Sequence, residues 1–233
     1  MGDISIETHN HLKKVYGTLL YCCACAAVGA WSSPSLSQGA ALLCFLLGIA
    51  LLALLAAIPH DPTKTQWPRL ALLGAFAAAQ GVAIGPLIAI VHLHYGQDII
   101  LAALLIAASA FLALTLLALC TPRRALIFLL APLLAGLQLL LLFSFVNVFA
   151  GSDFLFAVGV YMGLMVFLGF VAVDTQLMVE RAEGGERDYV WQAVGLFLDL
   201  LNVFVRVVVV LARLRDGESR ERGFDIEAGK MEL

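Results

Sequence analysis

Seven stretches of this chain are each apolar over about the 20 residues that a helix needs to cross a bilayer core. They run approximately Val15–Trp31, Gly39–Ile58, Leu70–Val91, Ile99–Cys120, Ala125–Val146, Phe154–Val173 (extending to Val179) and Tyr189–Leu211. In lipid every backbone N–H and C=O must be bonded within the protein, which leaves helices and closed barrels. No stretch alternates apolar and polar residues as a barrel strand does, so a barrel is excluded. The expected fold is an all-α membrane protein of seven transmembrane helices. Composition agrees. Of 233 residues, 62% are hydrophobic and 13% charged, whereas a soluble domain is about a quarter charged. The net charge of −3 argues against a nucleic-acid partner. Membrane lipid is the expected surrounding.

The expected organisation is a cytosolic segment 1–14, a seven-helix domain 15–212 and a polar, disordered tail 213–233. Lys13 and Lys14 before the first run, with the small residues Ala24, Ala26 and Ala30 inside it, also suit a cleaved signal peptide. The anchor reading is preferred because a multi-spanning chain follows. Lys and Arg collect on the cytosolic side of membrane proteins. Here they lie before helix one, in the loops after helices two (Lys64, Arg69), four (Arg123, Arg124) and six (Arg181, Arg187), and not in the other three loops. That pattern puts the N-terminus in the cytosol. The tail, with Arg213, Arg215, Arg220, Arg222 and Lys230, favours the same side. The seventh run therefore either crosses fully or re-enters. Pro86 and Pro132 are expected inside helices three and five, kinking them. His92 and His94, at i and i+2, point to different sides of a helix and read as interfacial. Asn147 and Asp153 read as cap and turn residues. The five cysteines form no disulfide framework and read as buried free thiols.

An ionisable side chain within a membrane helix is expensive, so its default reading is functional. Asp174 lies in the second half of helix six, with Thr175 and Gln176 extending the polar cluster. Asp199 lies near the middle of helix seven and shares a helix face with Asn202 and Arg206, at i, i+3 and i+7. If the turn between these helices centres on Gly185, Asp174 and Asp199 stand 11 and 14 residues from it, at depths of about 16 and 21 Å. Antiparallel neighbours would bring the carboxyls together, where they hold one proton between them. The alternative is that each acid separately meets an arginine or backbone groups. Arg206 is expected either to reach Asp199 through a neighbour or to snorkel to the surface. Arg69 reads mainly as a topology charge whose arm can extend inward to a carboxylate.

Several enzyme classes are excluded. None of Lys13, Lys14, Lys64 and Lys230 is intramembrane, so no retinal Schiff base can form. The acids sit in VAVDTQ and LFLDLL rather than in the GxGD of intramembrane aspartyl proteases. No membrane Ser–His couple, histidine-rich zinc site or phosphate-cradling glycine loop occurs, so no enzyme activity and no cofactor are expected.

HLKKVY (11–16), GVAIGP (81–86), PRR (122–124), NVFAGS (147–152), VDTQLMVERAEGGERDYVW (173–191) and LFLDLLNVFVR (196–206) follow one another in order. Together they resemble the Bax inhibitor-1 family, the transmembrane Bax-inhibitor-motif proteins, from about His11 to Arg213. The DTQ segment with its acidic turn and the later FLD segment are the specific parts. The resemblance implies a last helix wrapped by helices 1–3 and 4–6, in the endoplasmic-reticulum membrane. It implies a pH-sensitive calcium leak, or a Ca²⁺/H⁺ exchanger, that suppresses cell death and stress signalling. The family's di-aspartyl sensor maps onto Asp174 and Asp199, which would also touch Ca²⁺ transiently. An early arginine that contacts these acids in relatives maps onto Arg69. The implied partners are Ca²⁺, protons, Bcl-2-family proteins and stress sensors, and the competing role is an adaptor for such proteins. Two departures stand out. Close animal relatives carry a third acid where this chain has Gly195. The lysine-rich tail common in the family is here a mixture of 5 basic and 6 acidic residues.

Overall fold

The computed structural model describes residues 6–32, 38–60, 66–122 and 125–231, with side chains described as far as Gly217. Lys64, Arg123 and Arg124, which entered the topology argument, lie outside the described residues. Seven helices follow in order: α1 (Ile6–Trp31), α2 (Gln38–Ala57), α3 (Trp67–Tyr95), α4 (Gln97–Cys120), α5 (Leu130–Ala150), α6 (Asp153–Glu183) and α7 (Tyr189–Met231). A single 3-10 turn, Ile127–Leu129, precedes α5. Among the described residues there is no strand. All seven helices are long and apolar enough to span a membrane.

α7 packs against α1, α3, α4 and α6, while α2 lies on α3 and α5 lies on α6. The last helix thus stands between the two groups. Val190, Ala193, Val194, Leu196, Phe197, Val203, Val207 and Val208 bury its faces, and Phe197 meets Phe76 of α3 edge-on with ring centroids 6.0 Å apart. The outer helices show the opposite character. Leu139, Leu141, Leu142, Phe145 and Phe149 of α5 and Leu42, Leu43, Phe45 and Leu46 of α2 are exposed. An apolar surface of that extent belongs in lipid. The chain is a multi-pass membrane protein.

Helix boundaries differ from the apolar runs for identifiable reasons. α1 starts at Ile6 rather than Val15, because Thr8, His11, Leu12, Val15, Thr18, Leu19 and Cys22 continue one buried stripe backwards at helical spacing. Helix α1 then packs backbone-close on α3. A Cβ on Gly29 would strike the Ala78 carbonyl, and one on Gly81 would strike that of Ala26, the close approach that small residues permit between membrane helices. Pro132, expected mid-helix, falls in the first turn of α5, where its missing N–H costs no intrahelical bond. Ser152 rather than Asp153 caps α6, and Asn147 Oδ1 accepts from the Ser152 N–H at 2.8 Å. All five cysteines are free, but only Cys22 is buried, and Cys120 is exposed. The α7 backbone stays helical to Met231, across the tail expected to be disordered. Its Arg and Glu residues are good helix formers.

Side-chain bonds fix which helix ends share a face of the bundle. Arg187, in the α6–α7 turn, donates to Glu7 at 2.5 Å, and His11 lies 2.7 Å from Gln192. Arg69, at the start of α3, bonds Asp188 of the same turn. At the far end of α3, Tyr95 donates to Asp216 of α7 at 2.7 Å. Helix α7 therefore runs the full depth from the Arg69 end to the Tyr95 end. It crosses and does not re-enter, so residues beyond 216 emerge on the face opposite Glu7. Protease protection of epitope tags in sealed microsomes checks this. One terminal tag is expected to be digested from outside and the other shielded, whereas identical behaviour of both tags contradicts a full seventh crossing.

Candidate functional site

Two helix ends set the position of the acid pair. α6 closes at Glu183, and Gly185 turns the chain at φ +89°, a conformation open chiefly to glycine. Asp188 then caps α7, its Oδ1 accepting the Trp191 N–H at 3.1 Å. From these two ends the helices run antiparallel and bring the Asp174 and Asp199 side chains into contact. Asp199 is 6% exposed and Asp174 half-buried. Among the described residues Asp199 Oδ2 receives no N–H or O–H donor, and the polar group beside it is the second carboxyl. Two carboxyls so placed are able to share one proton and to hold the helices together through it. Gly195, one turn before Asp199, contributes to the fit. A Cβ there would sit 3.2 Å from Asp174 Oδ2.

Asn202 and Arg206 lie further along the same helix but do not join the pair. Arg206 Nη1 donates to Asn202 Oδ1 at 3.0 Å, and Asn202 Nδ2 donates back to the Leu198 carbonyl at 2.9 Å. No bond links either to Asp199 among the described residues. The Arg206 guanidinium lies 4.6 Å from the centroid of the Phe167 ring on α6. Gly163 supplies the space, since a Cβ there would overlap the Arg206 Nε. So Arg206 neither reaches Asp199 nor snorkels freely. It packs on α6, with Nε buried and lacking an acceptor among the described residues.

Arg69 does reach a carboxylate, but not one of the two acids. It is 5% exposed and grips Asp188 bidentately, Nη1 to Oδ1 at 2.9 Å and Nη2 to Oδ2 at 2.6 Å. His60 Nδ1 lies 3.2 Å from Nη1. Thr175 and Gln176 also leave the expected cluster. The Thr175 hydroxyl bonds back to the Val171 carbonyl at 2.7 Å. Gln176 reaches toward α4, donating to the Ala118 and Pro122 carbonyls and accepting from the Leu126 N–H. It ties the α4 end to the segment before α5.

Sequence reasoning missed a second polar layer at the turn, made of Asp188, His60, His11 and Gln192. One signal was available. Asp188 stands three residues before Trp191 at the start of an apolar run, which is the position of an N-cap.

Removing one partner of a buried pair strands the other charge. Arg69→Ala is expected to destabilise the protein by about 3 kcal/mol. Asp188→Asn keeps a capping oxygen and is expected to cost about 1–2 kcal/mol. Thermal unfolding in detergent decides the order, and equal losses contradict the clamp. Gly163→Ala is expected to lower Tm, and to do so less when Arg206→Ala is already present. Strict additivity of those two substitutions contradicts their contact.

A family model described as "Inhibitor of apoptosis-promoting Bax1" matches residues 8–216. The chain is similar to a probable Bax inhibitor 1 of Paralichthys olivaceus, at 40% identity over 94% of this chain and 92% of the relative. It is similar to Bax inhibitor 1 of Homo sapiens, at 39% identity over 95% of this chain and 93% of the relative. The corresponding protein of Arabidopsis thaliana is 34% identical over 91% and 84%.

Proposed function

The chain belongs to the Bax inhibitor-1 family, and on that premise we propose that it is a cell-death-suppressing protein of the endoplasmic-reticulum membrane, acting as a proton-sensitive calcium leak through Asp174 and Asp199. The observation that carries this reading is the contact of two carboxyls across α6 and α7, with Asp199 buried in the bundle. A proton held between them latches the helices. Its loss leaves two like charges that repel each other or draw in a cation. Either change biases an open–closed equilibrium of the hairpin.

Calcium is the cargo rather than a resident ion. It favours six to eight oxygen ligands. Among the described residues no group of three His, Cys, Asp or Glu side chains stands ready to hold a metal. Two carboxyls bind such an ion weakly, which suits flux over storage. Lys13, Lys14, Arg69, Arg181 and Arg187 crowd one end of the bundle, which supports a cytosolic N-terminus. Bcl-2-family proteins and stress sensors are the partners this reading carries forward, as listeners to the calcium level or as direct contacts.

Reconstituted protein in calcium-loaded proteoliposomes, scanned from pH 5.5 to 8, tests the proposal. Flux is expected to depend on pH, and Asp174→Asn/Asp199→Asn is expected to lose at least about nine-tenths of that dependence, the tenfold that one pH unit makes available to a single site. Flux no greater than from empty liposomes overturns the leak and leaves an adaptor role. In that case deletion of Asp216–Leu233 is expected to abolish cytoprotection.

A further inference from the structure

Asp174 does not face only its partner. It also borders a cavity of about 290 Å³ between α6 and α7, near the turn, with one wall from α2. Arg181 lines the same cavity. It stands seven residues after Asp174 on α6, which is the same face two turns on, about 10 Å along the axis. Arg181 is exposed and Asp174 half-buried, so the guanidinium is at the outer end and the carboxyl at the inner end. The other eight lining residues, among them Leu52, Trp191, Gln192 and Leu198, are uncharged. The two charges act on each other across the space. Gly195 forms part of the wall beside Asp174 and adds no side chain to obstruct it.

A cleft with apolar walls focuses the field of a charge placed at its mouth. We propose that Arg181 is a charge filter at the outer end of this cavity, slowing the approach of cations to Asp174 in proportion to their charge. For the leak, which this inference takes as its premise, Arg181 is then a specificity-determining residue. The barrier scales with ionic charge, so neutralising Arg181 accelerates a divalent ion by the square of the factor for a monovalent one.

Chemical modification of Asp174 tests the filter without any flux. Full-length protein in proteoliposomes is treated with a water-soluble carbodiimide bearing a tertiary ammonium, or with the uncharged dicyclohexyl reagent. Modification of the Asp174 peptide is read by mass spectrometry. Arg181→Gln is expected to raise the cationic reagent's rate about threefold relative to that of the uncharged reagent, whose rate reports any change in the protonation of Asp174. Arg181→Lys is expected to behave as the unaltered chain. In flux, Arg181→Gln is expected to raise potassium movement about threefold and calcium about ninefold. An unchanged ratio of the two carbodiimides in Arg181→Gln overturns the filter, even where calcium flux is present and vanishes in Asp174→Asn/Asp199→Asn. A raised ratio in a protein that passes no calcium supports the filter and defeats the leak.

Discussion

Asp188 takes two N–H groups from Arg69 and one from the first turn of α7. The depth of everything downstream on that helix is counted from there. Asp199 lies 11 residues further on, about 16 Å into the bundle. A bidentate guanidinium–carboxylate pair fixes orientation as well as distance, so α3 holds the start of α7 in register. Since α7 touches both helix groups, that register is passed to each. The contact between Asp174 and Asp199 therefore depends on an ion pair near the end of the bundle as much as on α6 and α7 themselves.

The structure separates two polar layers by their exposure to water. Near the turn, Glu7, Arg187, His60 and Gln192 each have a bonded partner, and one buried atom there, Arg69 Nε, has no acceptor among the described residues. Deeper, the Asp199 carboxyl and the Arg206 Nε lack donors and acceptors of the ordinary kind among the described residues. A satisfied layer mainly stiffens its surroundings. An unsatisfied one is where protonation, hydration or an ion changes the energy most.

Much of the fold was legible because lipid imposes one rule on every spanning segment: an unbroken apolar run must close its own hydrogen bonds. The acid pair was legible for a related reason, since a tight turn and a constant rise per residue turn sequence separation into depth. What stayed hidden was direction around each helix axis. Thr175 and Gln176 adjoin Asp174 in sequence, yet one bonds its own backbone and the other reaches α4. Arg69 was expected to extend to a carboxylate, by resemblance one of Asp174 and Asp199, and packing instead gives it Asp188. The early start of α1 was visible in the spacing of Thr8, His11, Leu12 and Val15. Hydropathy concealed it, because Lys13 and Lys14 on the opposite face lower the average.

The Tyr95–Asp216 bond has a consequence for regulation. Because α7 emerges opposite the α6–α7 turn, the two ends of the chain are read in different solutions. A soluble factor that grips the tail cannot also touch the α6–α7 turn. A message between them has two paths: α7, which carries Asp199, and α3, which bonds α7 near both of its ends.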